Sequence, residues 1–279
     1  MNKWNLIIDV ERCENCNNCV IAAKDEYVDN EFLGYSAPVA VESSDLITIS
    51  RNARGETPVV DTAYLIKMCN HCDNAPCMKV GGDAIRKRDD GIVIIDPDKA
   101  KGRKDIVKSC PYGAIVWNEE RQLPQTWYFD AHLLDQGWTK PRCAQSCPTG
   151  VFEALKVSDQ EMEKRVEKDS LEVLKPQLNT KPRVFYKNMY RYNKCFIGGS
   201  VVAMIDGIEE CVKGANADLY QAGKKISSTV TDDFGEFKID KLDPNSGDYR
   251  VDVHHPDLGS SSHQVTLSKS HYIGIINLN

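Results

Sequence analysis

Long apolar runs are missing. Nowhere in the 279 residues does a hydrophobic stretch approach the roughly 18 residues of a membrane span, so no membrane anchor is expected. A basic surplus is missing as well: 35 Lys and Arg stand against 41 Asp and Glu, for a net charge of −6. Nucleic-acid binding wants a basic stripe, and this balance argues against such a partner. No secretory leader is expected either. The start, MNKWNLIIDVERC, holds one short apolar run, NLIIDV, which reads as a strand, and a cytoplasmic location is expected. What remains is ordinary globular material, 41% hydrophobic and 27% charged, long enough for two domains.

Cysteine is abundant, with eleven residues at 13, 16, 19, 69, 72, 77, 110, 143, 147, 195 and 211. Disulfides fit poorly with C-x2-C pairs and no leader. Structural zinc also uses C-x2-C. The stretch DVERCENCNNCVIAAKDEY (9–27) points elsewhere: Cys13, Cys16 and Cys19 follow the iron–sulfur pattern C-x2-C-x2-C-x3-C, but the fourth position is Ala23. In such runs the first three cysteines bind one [4Fe–4S] cluster, and the fourth, followed by Pro, binds another. A triple therefore needs a Cys-Pro from elsewhere. The chain has two triples, Cys13/Cys16/Cys19 and Cys69/Cys72/Cys77, and two Cys-Pro pairs, Cys110-Pro111 and Cys147-Pro148. The count closes on two four-thiolate sites. Zinc would not call for the Cys-Pro-x-Gly context.

Both Cys-Pro pairs open the pattern C-P-[YT]-G-[AV] followed by an apolar run, a small internal repeat. Residues 1–155 read as the cysteine-rich domain. Residues 156–196 read as a bridge, with a charged amphipathic helix capped by Ser158 and carrying Met162, Val166 and Leu171, then the arm KPRVFYKNMYRYN. From 197 to 279 cysteine almost vanishes. SVVAMID, NADLYQ, KISSTVT, GEFKID, YRVDVH and YIGIINL are strand-length runs broken by Gly, Asn, Asp and Pro. The expected fold is α+β: a ferredoxin-like double [4Fe–4S] domain, then an all-β sandwich of immunoglobulin or transthyretin-like, carboxypeptidase-regulatory-like type.

On these motifs the chain resembles the four-cluster ferredoxin subunits that serve molybdopterin oxidoreductases, such as those of dimethyl sulfoxide reductase and respiratory formate dehydrogenase. CNHCDNAPC (69–77) and KSCPYGAIVWNEE (108–120) carry the resemblance, which covers roughly residues 3–155. It implies that the motifs pair first with fourth and second with third. Cys13, Cys16, Cys19 and Cys147 then hold one cluster, and Cys69, Cys72, Cys77 and Cys110 the other. The family's two further clusters fall on Ala23, Trp127, Asp130 and Cys143, and on Gly81, Ala100, Arg103 and Ile106. Seven of those eight ligands are gone, while all eight for the other two clusters remain. Trp127 and Phe129 are expected to fill the first vacated volume, because an empty cavity is costly. Cys143 reads as a buried inert thiol, and Arg103 as turned to water or paired with a carboxylate. Over its whole length the chain is similar to the transhydroxylase branch, which also carries a C-terminal sandwich but is expected to keep the cluster at 23, 127, 130 and 143.

The resemblance implies a small subunit docked on a large one that holds molybdenum on molybdopterin guanine dinucleotide, as a heterodimer or a higher assembly. The active site is expected on that partner, acting on phenolic substrates, and no catalytic residue is assigned to this chain. In the family the clusters form a wire. Here it is interrupted between the surviving sites and cut at its far end, which suits a redox-neutral hydroxyl transfer. Two other readings stay open. One is a working electron-transfer subunit of a molybdenum reductase or dehydrogenase with a shortened cluster chain. The other is an independent binding module whose clusters only serve folding. His71 is expected to pack beside a cluster or donate an N–H to its sulfur, with Lys67 and Lys79 flanking it. Cys195 and Cys211 read as free or core thiols. His254 and His255, adjacent in a strand, face opposite sides.

Overall fold

A computed structural model describes residues 1–43 and 45–278, and its chain divides into two units, Met1–Arg51 with Tyr64–Met189, and Asn52–Ala63 with Tyr190–Asn279.

The first unit is built on a three-stranded sheet. Its central strand is β1 (Lys3–Asp9), and α1 (Asn18–Tyr27) follows it in the chain. A hairpin of β2 (Thr48–Glu56) and β3 (Val59–Lys67) crosses the division between units, its outer part belonging to the second. Next come α2 (Pro76–Gly81), the hairpin of β4 (Ile85–Lys87) and β5 (Val93–Ile95), then α3 (Pro97–Ala100) and α4 (Asp105–Ser109). The hairpin of β6 (Val116–Asn118) and β7 (Leu123–Gln125) leads to α5 (Ala131–Asp135) and α6 (Arg142–Ser146). The chain then returns to the sheet as β8 (Phe152–Val157), antiparallel to β1. After α7 (Asp159–Asp169), β9 (Val184–Lys187) pairs with β1 in parallel.

Local chemistry explains these elements. Ser158 accepts the N–H of Glu161 while the Glu161 carboxylate takes the Ser158 N–H, a complete capping box that starts α7. Met162 of α7 and Leu171 beyond it bury against Ile7 of β1. The repeated Cys-Pro-x-Gly is a turn. Gly113 donates to the Cys110 carbonyl and Gly150 to the Cys147 carbonyl, with both glycines left-handed at φ 66° and 64°.

The second unit is β-rich. After α8 (Tyr190–Asn193) come β10 (Cys195–Ile205), β11 (Ile208–Cys211), β12 (Asn216–Gln221), β13 (Lys224–Val230), β14 (Glu236–Leu242), β15 (Gly247–His255), β16 (Gly259–Leu267) and β17 (His271–Asn277). One sheet runs β11-β10-β14 with β17 beside β10, and the other runs β13-β12-β15-β16. A single buried cluster draws on both: Ile197, Val201 and Ile239 from the first, Leu219, Val251 and Val253 from the second. Cys195 belongs to this cluster, Cys211 is exposed, and both are free thiols. The hairpin tip joins this unit through Arg54, which is 6% exposed and donates to both Asp61 and Asp240.

Candidate iron–sulfur sites

The first cysteine set sits where β1 turns into α1. Cys13 ends a short 3-10 turn, and Asn15 and Asn17 take left-handed backbone at φ 55° and 61°, a conformation asparagine tolerates well. This folds the loop back so that Cys19 falls in the first turn of α1. Cys147 caps the C-terminus of α6. Arg12 reaches across to the Gly150 carbonyl at 3.1 Å, and the Val151 N–H points at the Cys147 sulfur at 3.4 Å. Cys13 feels the charge of both Cys147 and Cys16, and Cys19 that of Cys13, Cys147 and Cys16. Burial raises Cys13 and, with the other three thiols, pushes Cys19 up to about 12. Cys16 is exposed, so this set opens toward solvent.

The second set has no exposed thiol. Cys69 and Cys72 lie in the loop after β3, Cys77 in the first turn of α2 behind Pro76, and Cys110 at the C-cap of α4. All four line one cavity with Ala75, Val93, Ile95 and Ile115. Burial raises Cys69 and Cys72 and pushes Cys77 up to about 11, and the thiols reinforce one another. Thiols raised this far stay protonated on their own, whereas a coordinating metal removes the proton outright. Among the described residues no three His, Cys, Asp or Glu side chains close in on one point as a single metal ion requires. A cubane carries its thiolates on four separate irons and spreads them wider, so each set fits the donor demand of a [4Fe–4S] group.

The loop around the second set is held from far along the chain. Lys87 donates to the carbonyls of His71 (2.8 Å), Cys72 (3.0 Å) and Gly91 (2.9 Å) and pairs with Asp73. The arm after α7 straps the same loop. Asp73 N–H bonds to Lys181 O, Asn74 N–H to Thr180 O, and Arg183 N–H to Asn70 O. The Arg183 guanidinium is 4% exposed and binds Asp73, Asp159 and Asn5. Sequence patterns alone do not single out Lys87 or the arm for this role. The visible signal is a Cys-Asn-His-Cys turn whose carbonyls need donors that no neighbouring residue supplies.

His71 packs. It is 1% exposed, its Nδ1 accepts the Val93 N–H at 3.1 Å, and its ring lies 5.5 Å from Trp127 and 5.6 Å from Phe129. Burial, with Lys87 and Arg183 nearby, drops its pKa to about 3, so the ring is neutral. The Val93 bond occupies the Nδ1 lone pair and leaves the proton on Nε2, which has no partner. Lys79 is exposed.

The two further quartets of positions, those of Ala23 and of Gly81, are packed with side chains, each differently. Around Ala23 and Cys143, Trp127 is fully buried and stacks on Phe129 at 5.0 Å. Asp130 Oδ1 accepts from Trp127 Nε1 (3.1 Å) and Tyr27 OH, and Oδ2 accepts the Arg142 N–H at 2.6 Å. Burial pushes the Asp130 carboxyl up against the pull of these bonds. Cys143 is 1% exposed, and burial with Asp130 and Cys19 nearby raises it well above an ordinary thiol. The second position is aliphatic: Ala100 and Ile106 pack with Ile85, Val93, Ile95 and Ile115. A Cβ at Gly81 would lie 2.5 Å from Ile85 Cγ1. Arg103 pairs with Asp105 and donates to the Val80 carbonyl.

Two sets of four thiols, each completed by a Cys-Pro turn at a helix end, define a ferredoxin-type iron–sulfur subunit. A family described as the 4Fe-4S dicluster domain matches residues 60–157. The chain is 42% identical over 281 residues to the pyrogallol hydroxytransferase small subunit of Pelobacter acidigallici, covering all of both chains. It is 30% identical over 190 residues to a tetrathionate reductase subunit of Salmonella typhimurium, covering 66% of this chain and 72% of that one. An arsenate respiratory reductase iron–sulfur subunit of Shewanella sp. is 29% identical over 140 residues, 50% of this chain and 55% of that one. The chain belongs to the pyrogallol hydroxytransferase small-subunit family of iron–sulfur subunits.

Proposed function

We propose that this chain binds two [4Fe–4S] clusters, one on Cys13, Cys16, Cys19 and Cys147 and one on Cys69, Cys72, Cys77 and Cys110. In this reading it docks on a molybdopterin-containing large subunit that turns over phenolic substrates in the cytoplasm. The clusters supply reversible one-electron chemistry when bound. The chain's own residues hold the thiols, and at the second set they exclude water. Ile85, Ala100 and Ile106 close the site from which a wire would lead outward, so the subunit supports a redox-neutral hydroxyl transfer and exports no electrons. The C-terminal unit is read as an immunoglobulin- or transthyretin-like sandwich, on the strength of two four-stranded sheets sharing one core. Among the described residues no helix is long and apolar enough to cross a membrane.

The observation that carries this reading is the gathering of eight thiols into two fours, with packed side chains at both further positions. Iron and acid-labile sulfide on anaerobically purified complex test it. About eight irons per chain are expected. About twelve would rebuild the Ala23 site, and stoichiometric zinc with little iron would overturn the cluster assignment. One observation favours a second reading, a working electron-transfer subunit. Side chains run in contact from Cys69 of the second set through His71 and Trp127 to Asp130, and Cys143, near enough to Asp130 and to Cys19 of the first set to feel their charge, lies beyond it. Stopped-flow spectra separate the two: clusters that change redox state within a turnover refute the supporting role.

A further inference from the structure

Glu26, His132 and Tyr128 form a buried row that neither thiol set uses. Tyr128 OH lies 2.8 Å from His132 Nδ1, and His132 Nε2 lies 2.8 Å from Glu26 Oε1. Tyr128 is 1% exposed and His132 4%. Arg142 holds the other Glu26 oxygen at 3.3 Å. A carboxylate only accepts, so the imidazole proton sits on Nε2, toward Glu26. Nδ1 is left as a lone pair, and the Tyr128 O–H donates to it. Two other tyrosines point at carboxylates, Tyr27 at Asp130 and Tyr35 at Asp135. An imidazole takes up a proton more readily than a carboxylate, so Tyr128 has the strongest base of the three. The row also stands on a path of oxidisable rings. Tyr35, half-buried at the surface, stacks on Tyr128 with ring centroids 6.0 Å apart. Tyr27 meets Tyr128 edge-on at 5.1 Å. Tyr27 and Trp127 share Asp130 Oδ1, and Trp127 leads through His71, 5.5 Å away, to Cys69.

We propose that Tyr128 is a redox-active tyrosine, a relay through which a one-electron oxidant at the surface draws an electron from the reduced cluster on Cys69, Cys72, Cys77 and Cys110. The cluster end of this relay rests on the two-cluster reading above, and the tyrosine end does not. The oxidant, of the aryloxyl-radical or trivalent metal-complex class, takes one electron by way of Tyr35. Tyr128 supplies that electron, and its phenolic proton moves to His132 Nδ1 along the hydrogen bond already in place. A neutral tyrosyl radical is left beside an imidazolium paired with Glu26. An electron then arrives from the side of the second set through Trp127 and Tyr27, the proton returns from His132, and the phenol is restored. One electron is given and one is taken, with no net change in protons. A base within hydrogen-bond reach is what such a proton transfer needs. Without it, oxidation would leave a phenol radical cation unpaired in the interior, a costly buried charge. Glu26 is a positioning residue: it fixes the imidazole tautomer and stands ready to pair the charge. The oxidant comes from outside the reaction of the large subunit, so the supporting role in turnover is unchanged.

The experiment is flash–quench oxidation of the anaerobically purified complex, with a ruthenium(III) polypyridyl as the surface oxidant. Transient absorption and electron paramagnetic resonance on freeze-quenched samples read it, for the parent, Tyr128→Phe, His132→Gln and Tyr35→Phe. The parent is expected to give a neutral tyrosyl radical that forms more slowly in deuterium oxide, because a proton moves with the electron. Tyr128→Phe should lose that signal. His132→Gln keeps an acceptor but no base, and should lose it as well. Tyr35→Phe should form it more slowly. Reducing the parent with dithionite before the flash should shorten the lifetime of the radical. If a variant at 128 or 132 fails to fold, the deuterium effect in the parent and the rate in Tyr35→Phe decide. An equal signal in Tyr128→Phe, or formation indifferent to deuterium, overturns the proposal. A lifetime indifferent to prior reduction overturns the relay where [4Fe–4S] signals are present, and the two-cluster reading where they are absent.

Discussion

Asp130 offers the sharpest test of the packing around Ala23 and Cys143. Its carboxylate ties three segments together: Tyr27 of α1, Trp127 of the preceding loop and Arg142 at the start of α6. Removing it by Asp130→Ala leaves a phenol, an indole N–H and a backbone N–H without acceptors in a buried place. Each such orphan costs about 1–3 kcal/mol, so the loss should reach on the order of 3–6 kcal/mol after relaxation. Asp130→Asn is more discriminating. Its amide oxygen can replace Oδ1 and keep both Tyr27 and Trp127, but its NH2 group must then face the Arg142 N–H, donor against donor. One bond is lost, for about 1–3 kcal/mol. The assay is denaturant unfolding of the iron-loaded complex, read by loss of the cluster absorbance. The expected order is parent, then Asp130→Asn, then Asp130→Ala. If Asp130→Asn matches the parent, or both variants fall equally, the carboxylate is not the tie described.

Other consequences follow from the same packing. Gly81→Ala places a Cβ against Ile85 and should destabilise by about 1–3 kcal/mol in the same assay; unchanged stability would show that Ile85 can move aside. Arg54→Met takes the buried guanidinium from the half-buried Asp61 and Asp240, which keep Lys238, and a loss of about 1–3 kcal/mol is expected in thermal or denaturant unfolding. Burial alone would raise the Asp61 carboxyl, but hydrogen bonds from Arg191 and Arg54, with Lys238 nearby, hold it well below the usual value of 3.8. A depressed acid gives its stabilisation in full above its unfolded pKa and loses it as pH falls through the folded one. Unfolding followed by near-ultraviolet circular dichroism should therefore weaken from about pH 4 downward, and the acid limb should shrink in Asp61→Asn. Lys87→Met removes the donor shared by the His71, Cys72 and Gly91 carbonyls; iron should then be lost first from the second set, seen as selective loss of one paramagnetic signal.

Features set by local chemistry are legible in the sequence. Cys-Pro-x-Gly is a turn because Pro fixes one dihedral and Gly accepts a left-handed one, and both copies form it. The Ser158 start of α7 needs only Glu161 three residues on. The alternation of YRVDVH places Tyr249, Val251 and Val253 on the buried face of β15. Trp127 and Phe129 stack in the buried interior, as two large aromatics two residues apart would suggest. What the sequence hides depends on residues brought together over long separations. Thr180 reaches Tyr112 across 68 positions and Arg54 reaches Asp240 across 186, and neither pair has a local pattern to announce it. Asp130 reads in the sequence as a lost ligand, and its part as a three-way acceptor follows only from where Tyr27 and Arg142 fall.

The two packed positions differ in what surrounds them. At Gly81 the neighbours are aliphatic, so Ile85 and Ile106 join one apolar cluster, and Arg103 pairs with Asp105 at the surface. At Ala23 the neighbourhood holds a backbone N–H at the start of α6 and a buried phenol, which an aliphatic plug would strand at a cost. A carboxylate satisfies both and an indole besides. Cys143 survives there because it needs nothing: buried beside Asp130, its thiol is held protonated, and as a small apolar side chain it packs where a charge could not.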